Sequence, residues 1–379
     1  MSLSRRELLR TAPLAAVAAG LHPRFASPAR ADGLIVRVRE PRNLETPLPD
    51  LVPPLTATDR FYVRDHFAVP EVDPKAFKLT VEGHVGAKLE LSLDDLKKMG
   101  AVSREVVLEC AGNGRVFLVP PARGAQWGHG AVGQAKWTGV PLGAVLERAK
   151  VKAGAGDVVL IGADKGAIAD PATPGAIHFD RGIPFAKAKA DETLLVWDMN
   201  DEALTASHGA PLRALVGGWY GMASVKWLSR IVVLDKPHAG FWQTFDYSVW
   251  ERPKDGLPQL VPITAIQPKA VVTSLGVSDT VPAGKEVVVS GRAWAGERAV
   301  ATVEFSADGG KTWAAAKLGA SKPFGWAEWS SPWTPAAKGP AKIVARCTDD
   351  KGNTQPATRD ADRRTYMINH LVPVAVTVK

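Results

Sequence analysis

Apolar residues are spaced differently on either side of about residue 262. Before it, strand-like and helix-like patterns mix. Phe77–Val85 (FKLTVEGHV) alternates apolar and polar positions, as a strand with one buried face does. Val106–Leu108, Val158–Gly162 and Thr193–Trp197 are short apolar runs of the kind that fill buried strands, and Val225–Val233 adds a further strand region. Ser92–Met99 (SLDDLKKM) predicts a short helix with Ser92 as N-cap and Asp94 and Asp95 in its first turn. Pro141–Ala149 and Ile183–Ala190 predict two more. No GxGxxG or GxxxxGK[ST] run follows a strand, so a nucleotide-binding α/β domain is disfavoured.

After residue 262 the helical spacing disappears. Short strands such as EVVVSGRAWA and AKIVARC are separated by turn clusters at Asp308-Gly309-Gly310 and Asp350-Lys351-Gly352-Asn353. Regular strands without helix predict an immunoglobulin-like β-sandwich. The fold class expected is therefore α+β: a mixed α/β domain over residues 32–262, then a sandwich over 263–379. Residues 32 to about 60, rich in proline, read as an extended arm, and ERPKDGLPQLVPI as the linker.

Composition changes this picture at the N-terminus. Arg5-Arg6 and Arg10 precede the weakly apolar run Thr11–Leu21, and Ala29-Arg30-Ala31 offers a cleavage site. Residues 1–31 read as a signal peptide, and Ser4–Leu9 (SRRELL) as a twin-arginine one, which implies the periplasm. These residues hold five arginines against one glutamate, so removing them lowers the net charge from +8 to +4. The remainder has no basic block, which argues against nucleic acid as a partner. At 46% hydrophobic the chain can bury a full core without disulfides, and its 12 tryptophans suggest deep pockets or well-packed layers.

Candidate chemistry clusters between residues 60 and 250: FYVRDHF with Arg64 and His66, VVLECAGNGR with Cys110 and Arg115, QWGHG with Trp127 and His129, SHGAPLR with His208 and Arg213, GMASVKW with Ser224 and Lys226, and FWQTFDY with Tyr247. Zinc and haem spacings (CxxC, HExxH, CxxCH) are missing. Cys110 could instead be half of a disulfide with Cys347, an inert buried thiol, or the nucleophile of a thiol hydrolase. A lone thiol among many cations also suits a metal that arrives inside an anionic organic cofactor and takes one bond from the protein.

These segments, in this order, resemble the sulfite oxidase family of molybdopterin-dependent enzymes. ECAGNGR is similar to its cysteine loop, FYVRDHFAVP to its Phe-x-x-Arg-Asn-His segment, and MNDEALTASHGAPLRALVGGWYGMASVKWLSRI to its longest signature. The last hundred residues resemble its C-terminal dimerisation sandwich, with DDKGNTQP and RTYMINH as closing phrases. The resemblance implies a molybdenum–molybdopterin cofactor, with Cys110 as metal ligand and Arg64, His66, His208, Arg213, Ser224 and Lys226 holding the pterin and its phosphate. It implies a substrate pocket lined by Tyr247, Arg115, Arg64 and Trp127. The implied reaction is oxidation of sulfite to sulfate by an exported, haem-free chain that can pair as a homodimer through its C-terminal domain, with an external acceptor such as a c-type cytochrome. A sulfane dehydrogenase subunit, or another small-molecule oxidoreductase of the family, is the alternative.

Two positions depart from the family pattern. Gly114 stands where animal and plant members usually have arginine, and Asp65 where the usual residue is asparagine. Both predict a less cationic pocket. A further arginine that the family sends in from the sandwich has only Lys322 as a weak counterpart. His129 matches no family role and is expected at the surface or behind the site, and Cys347 is expected to be a buried bystander.

Overall fold

The computed structural model describes residues 30, 31 and 33–379; the export signal assigned to residues 1–31 falls almost wholly outside the described residues. The first domain rests on two five-stranded sheets. In one, Asp157–Gly166 lies between Ile177–Pro184 and Leu228–Val233, and Leu228–Val233 runs parallel to Leu79–Gly83 at the other side. In the other, Val132–Pro141 lies between Val102–Glu109 and Thr193–Met199, all antiparallel. The apolar runs become these strands because both faces of each sheet are covered. Leu79, Val81, Leu160 and Ile231 pack in one core, and Val106, Leu108, Trp137 and Leu194 in another.

Helix is scarce. Leu93–Lys97, Leu142–Arg148 and Phe185–Ala188 sit where helices were expected but are short. Ser92 does cap the first: its hydroxyl accepts from Asp95 N at 3.2 Å, and Asp95 accepts from Ser92 N at 2.9 Å. The chain is mostly β with few helices. Two expectations need correction. The proline-rich arm is partly sheet, with Leu34–Val38, Asn43–Glu45 and Val63–Arg64 paired side by side. The supposed linker closes a hairpin, Ser248–Glu251 against Gln259–Pro262.

The C-terminal domain is a two-sheet sandwich. Lys269–Val272, Val287–Trp294 and Trp326–Trp333 head one sheet; Val300–Ser306, Gly339–Asp349 and Val374–Val378 head the other. Val289, Val303, Trp329 and Ile343 fill the space between them. Cys347 is buried in this core, and both cysteines are free, which removes the disulfide reading.

Candidate active site

The strand Val102–Glu109 delivers Cys110. Pairing with Val132–Pro141 ends at Glu109, and the chain then turns: Cys110 N donates to Ala131 O at 2.9 Å, and Asn113 N to Cys110 O at 2.8 Å. Asn113 staples the turn, its Oδ1 accepting from Ala131 N and its Nδ2 donating to Glu109 Oε1. Gly114 then takes φ +96°, a conformation that favours glycine, and starts the 3₁₀ turn Arg115–Phe117.

Cys110 lines a cavity. Tyr247 and all six cofactor candidates share it: Arg64, His66, His208, Arg213, Ser224 and Lys226. Their positions are fixed by backbone. Arg213 donates to His208 O at 3.0 Å and to Ser224 O at 3.1 Å. Lys226 donates to Ser207 O at 2.9 Å and pairs with Asp65. Asp65 therefore offsets one cation from behind; it does not itself line the cavity. His208 Nε2 donates to Thr58 O at 3.0 Å. His66 stacks on Phe179 at 4.1 Å and shares a 2.6 Å hydrogen bond with the Tyr247 hydroxyl.

Burial moves the titrations. His208 is pushed down to about 3 by burial and by Lys226, and His66 well below its usual range by burial, Arg64 and Lys226. Lys226 is pushed down to about 8 by burial, with Asp65 opposing. Both imidazoles are thus neutral at pH 7, while Arg64, Arg213 and most of Lys226 keep their charge.

Two predicted pocket residues, Trp127 and Arg115, do not line this cavity. Trp127 is fully enclosed, edge-on to Tyr62 with centroids 6.4 Å apart, and its indole nitrogen is unpaired. Arg115 is buried beside the loop: Nε donates to Thr365 Oγ1 at 2.7 Å and Nη1 to Ala125 O at 2.8 Å, and the guanidinium lies 5.4 Å over Tyr366. Side chains at Gly112 or Gly124 would collide with it. Lys322 is exposed and outside the cavity; the sandwich reaches the site through Arg364–Met367 instead. There Arg364 binds the carbonyl of Ser248 at 3.1 Å, and Met367 N donates to Ala111 O at 2.7 Å. His129 is not a surface residue. It is half-buried, packed on Phe117 at 4.5 Å.

Sequence reasoning missed three residues. Asp164 lines the cavity, is buried, has an unpaired Oδ1, and is pushed up to about 7 by burial, with Lys226 opposing. Arg181 is fully buried and donates to Trp242 O at 2.9 Å and to Ile263 O, while Ile263 N donates to Tyr247 O at 2.9 Å; it thereby fixes the loop that carries Tyr247. Lys269, from the sandwich, pairs with Glu109 at 3.0 Å directly behind Cys110. A lone Asp, Arg or Lys inside a strand carries no signal of its partner.

Among the described residues no group of three or more His, Cys, Asp and Glu could hold a metal ion directly. The donor set suits a large anionic group instead. It offers one thiol, three cations, a hydroxyl whose proton is free because Ser224 Oγ only accepts, from Val216 N, and one unpaired carboxylate for N–H donors.

Comparison with known proteins gives the same picture. Residues 66–242 match the oxidoreductase molybdopterin binding domain, and residues 261–379 the Mo-co oxidoreductase dimerisation domain. Mitochondrial sulfite oxidase of Homo sapiens is 35% identical over 355 residues, covering 87% of this chain and 63% of that protein. Sulfite oxidase of Gallus gallus is 33% identical over 88% of this chain and 75% of its own length. The sulfane dehydrogenase SoxCD structure from Paracoccus pantotrophus superposes with a TM-score of 0.76 at 25% identity, covering 89% of this chain and 87% of that one.

Proposed function

The chain belongs to the sulfite oxidase family of molybdopterin-dependent oxidoreductases, and from that premise we propose that it oxidises sulfite to sulfate, passing electrons to an external acceptor such as a c-type cytochrome. The observation that carries the reading is the group Arg64, His66 and Tyr247 beside the Cys110 thiol in one cavity. The residues fit the family's cofactor. Cys110 Sγ would be the protein's bond to molybdenum, the cations and Ser224 would hold the pterin and its phosphate, and Asp164 would accept from pterin N–H groups. When bound, that group supplies two-electron oxygen-transfer chemistry.

The chain's own residues do the rest. Arg64 binds and orients a small oxyanion by charge-assisted hydrogen bonds. Tyr247 stays protonated because burial raises it above the usual phenol range. With His66 Nε2–H donating to it, its hydroxyl can turn its own proton toward the oxyanion. Phe61, Phe179 and Trp227 wall the cavity against water. Arg115 acts from behind by seating Tyr366, which packs on Tyr247 at 5.0 Å. Residues 1–31 would direct export to the periplasm by the twin-arginine route, and residues 261–379 would join two copies.

A second reading, a sulfane dehydrogenase subunit, has the Paracoccus likeness in its favour. Sulfite-dependent reduction of cytochrome c by purified, molybdenum-loaded protein separates the two. Turnover with sulfite is expected; turnover with a sulfane substrate and none with sulfite would select the second.

A further inference from the structure

A second cavity shares Arg64 and His66 with the first. Its walls differ in kind. Phe241, Trp242 and Phe245 come from the helical turn before Tyr247, and Ile168 and Pro171 from the loop after Asp157–Gly166. Phe241 and Phe245 stack at 5.5 Å, yet Phe245 remains 45% exposed. Sulfite is a compact, strongly hydrated ion to which aromatic walls offer nothing. An apolar substituent would bury area on them.

The polar groups of this cavity set an orientation. Asn43 is buried with an unpaired Oδ1; Asp246 is the carboxylate with no cation paired to it among the described residues, accepting from the Tyr366 hydroxyl at 2.7 Å, while Asp170 is paired with Arg123. Arg64 and His66, which line both cavities, are the cationic and neutral donors at the boundary they share. An anionic head is drawn to Arg64 at that boundary and away from Asp246, which leaves the aromatic walls of the second cavity for an uncharged tail.

We infer that the enzyme also oxidises organic sulfinates, R–SO₂⁻, to sulfonates, with the sulfinate head at Arg64 and the R group against Phe241 and Phe245. The inference rests on the sulfite reading. A sulfinate has sulfite's pyramidal head and sulfur lone pair, with carbon replacing one oxygen. The reaction balances as R–SO₂⁻ + H₂O → R–SO₃⁻ + 2H⁺ + 2e⁻. One S–O bond forms at the lone pair, both O–H bonds of water break, and sulfur loses two electrons to a one-electron acceptor of the kind that serves sulfite.

The test uses loaded holoenzyme with ferricyanide as acceptor and sulfite, methanesulfinate or benzenesulfinate as substrate. Benzenesulfonate should form, with a kcat/KM about tenfold above that for methanesulfinate, the discrimination ordinary for a few buried carbons. Phe245→Ser should erase that margin and leave sulfite kcat/KM within about twofold, because the ring touches only the tail. Benzenesulfonate should also bind cofactor-free protein in ligand-observed NMR, and Phe245→Ser should weaken that signal. Sulfite turnover without sulfinate turnover overturns the inference alone; turnover of neither overturns the sulfite reading with it. Equal rates for the two sulfinates, or equal losses for all three substrates in Phe245→Ser, overturn the tail assignment.

Discussion

Glu109 and Cys110 are adjacent in the chain, and their two sides of the loop are built on opposite principles. Behind the loop, Glu109 is buried with every acceptor met: Oε1 takes Asn113 at 2.9 Å and Lys269 at 3.0 Å, and Oε2 takes Trp294 at 2.8 Å. In front, Arg64, Arg213 and Lys226 line one cavity, and among the described residues the one carboxylate paired with any of them is Asp65, which bonds Lys226 from behind the wall and leaves both guanidinium groups uncompensated. A closed network specifies structure, whereas uncompensated buried charge awaits a ligand. Proximity to the thiol alone would not have separated the two.

Substitutions can break this contrast from either side. Cys110→Ser should abolish sulfite turnover and leave the thermal unfolding midpoint unchanged, because only the front of the loop is altered; turnover like that of the parent would remove the ligand assignment. Lys269→Met should cost about 3–5 kcal/mol in denaturant unfolding, since it strands the Glu109 charge. Adding Glu109→Gln should recover part of that loss, and a strictly additive double variant would show that the pair is not coupled.

The pH dependence of cofactor-free protein sharpens the comparison more gently. His208 is pushed down to about 3, so folding excludes its proton, and stability from this group falls as pH drops from about 6.5 toward 3. Asp164 is pushed up to about 7, so its burial cost is relieved as pH falls from about 7 toward 4. Between pH 7 and 5, His208→Gln should therefore flatten the acid loss of stability and Asp164→Asn should steepen it. Denaturation midpoints at the two pH values check both signs. The smallest effect is expected of Gly114→Ala: with φ +96° and a new Cβ 3.1 Å from Ile368 Cγ2, it should cost roughly 1 kcal/mol. Its KM for sulfite should not move, because Gly114 faces the sandwich rather than the cavity.

That last point marks where the sequence was legible. Local patterns located the Ser92 cap, the strand before Cys110 and the change of texture near residue 262, because each depends on neighbours in the chain. The front of the site was legible through its quoted segments, which supplied Arg64, His66, His208, Arg213, Ser224, Lys226 and Tyr247. The back was not. Lys269, Arg181 and Thr365 act on residues 160, 82 and 250 positions away, through contacts that only folding creates. The resemblance tied Gly114 and Arg115 to the pocket, yet Gly114 abuts Ile368 and Arg115 bonds Thr365, both from the sandwich. Lys322 was chosen for its charge, but it lies in an exposed loop before Trp326–Trp333.

Thr365 and Met367 close the turn around Cys110 from 250 or more residues downstream. A ribosome-bound chain that has just exposed its thiol cannot yet hold it in shape. The loop that would receive the cofactor gains its last contacts only when the sandwich has docked. Loading is thereby tied to completion of the polypeptide, and a truncated copy lacking residues 361–369 would compete poorly for molybdopterin even with every cavity-lining side chain in place.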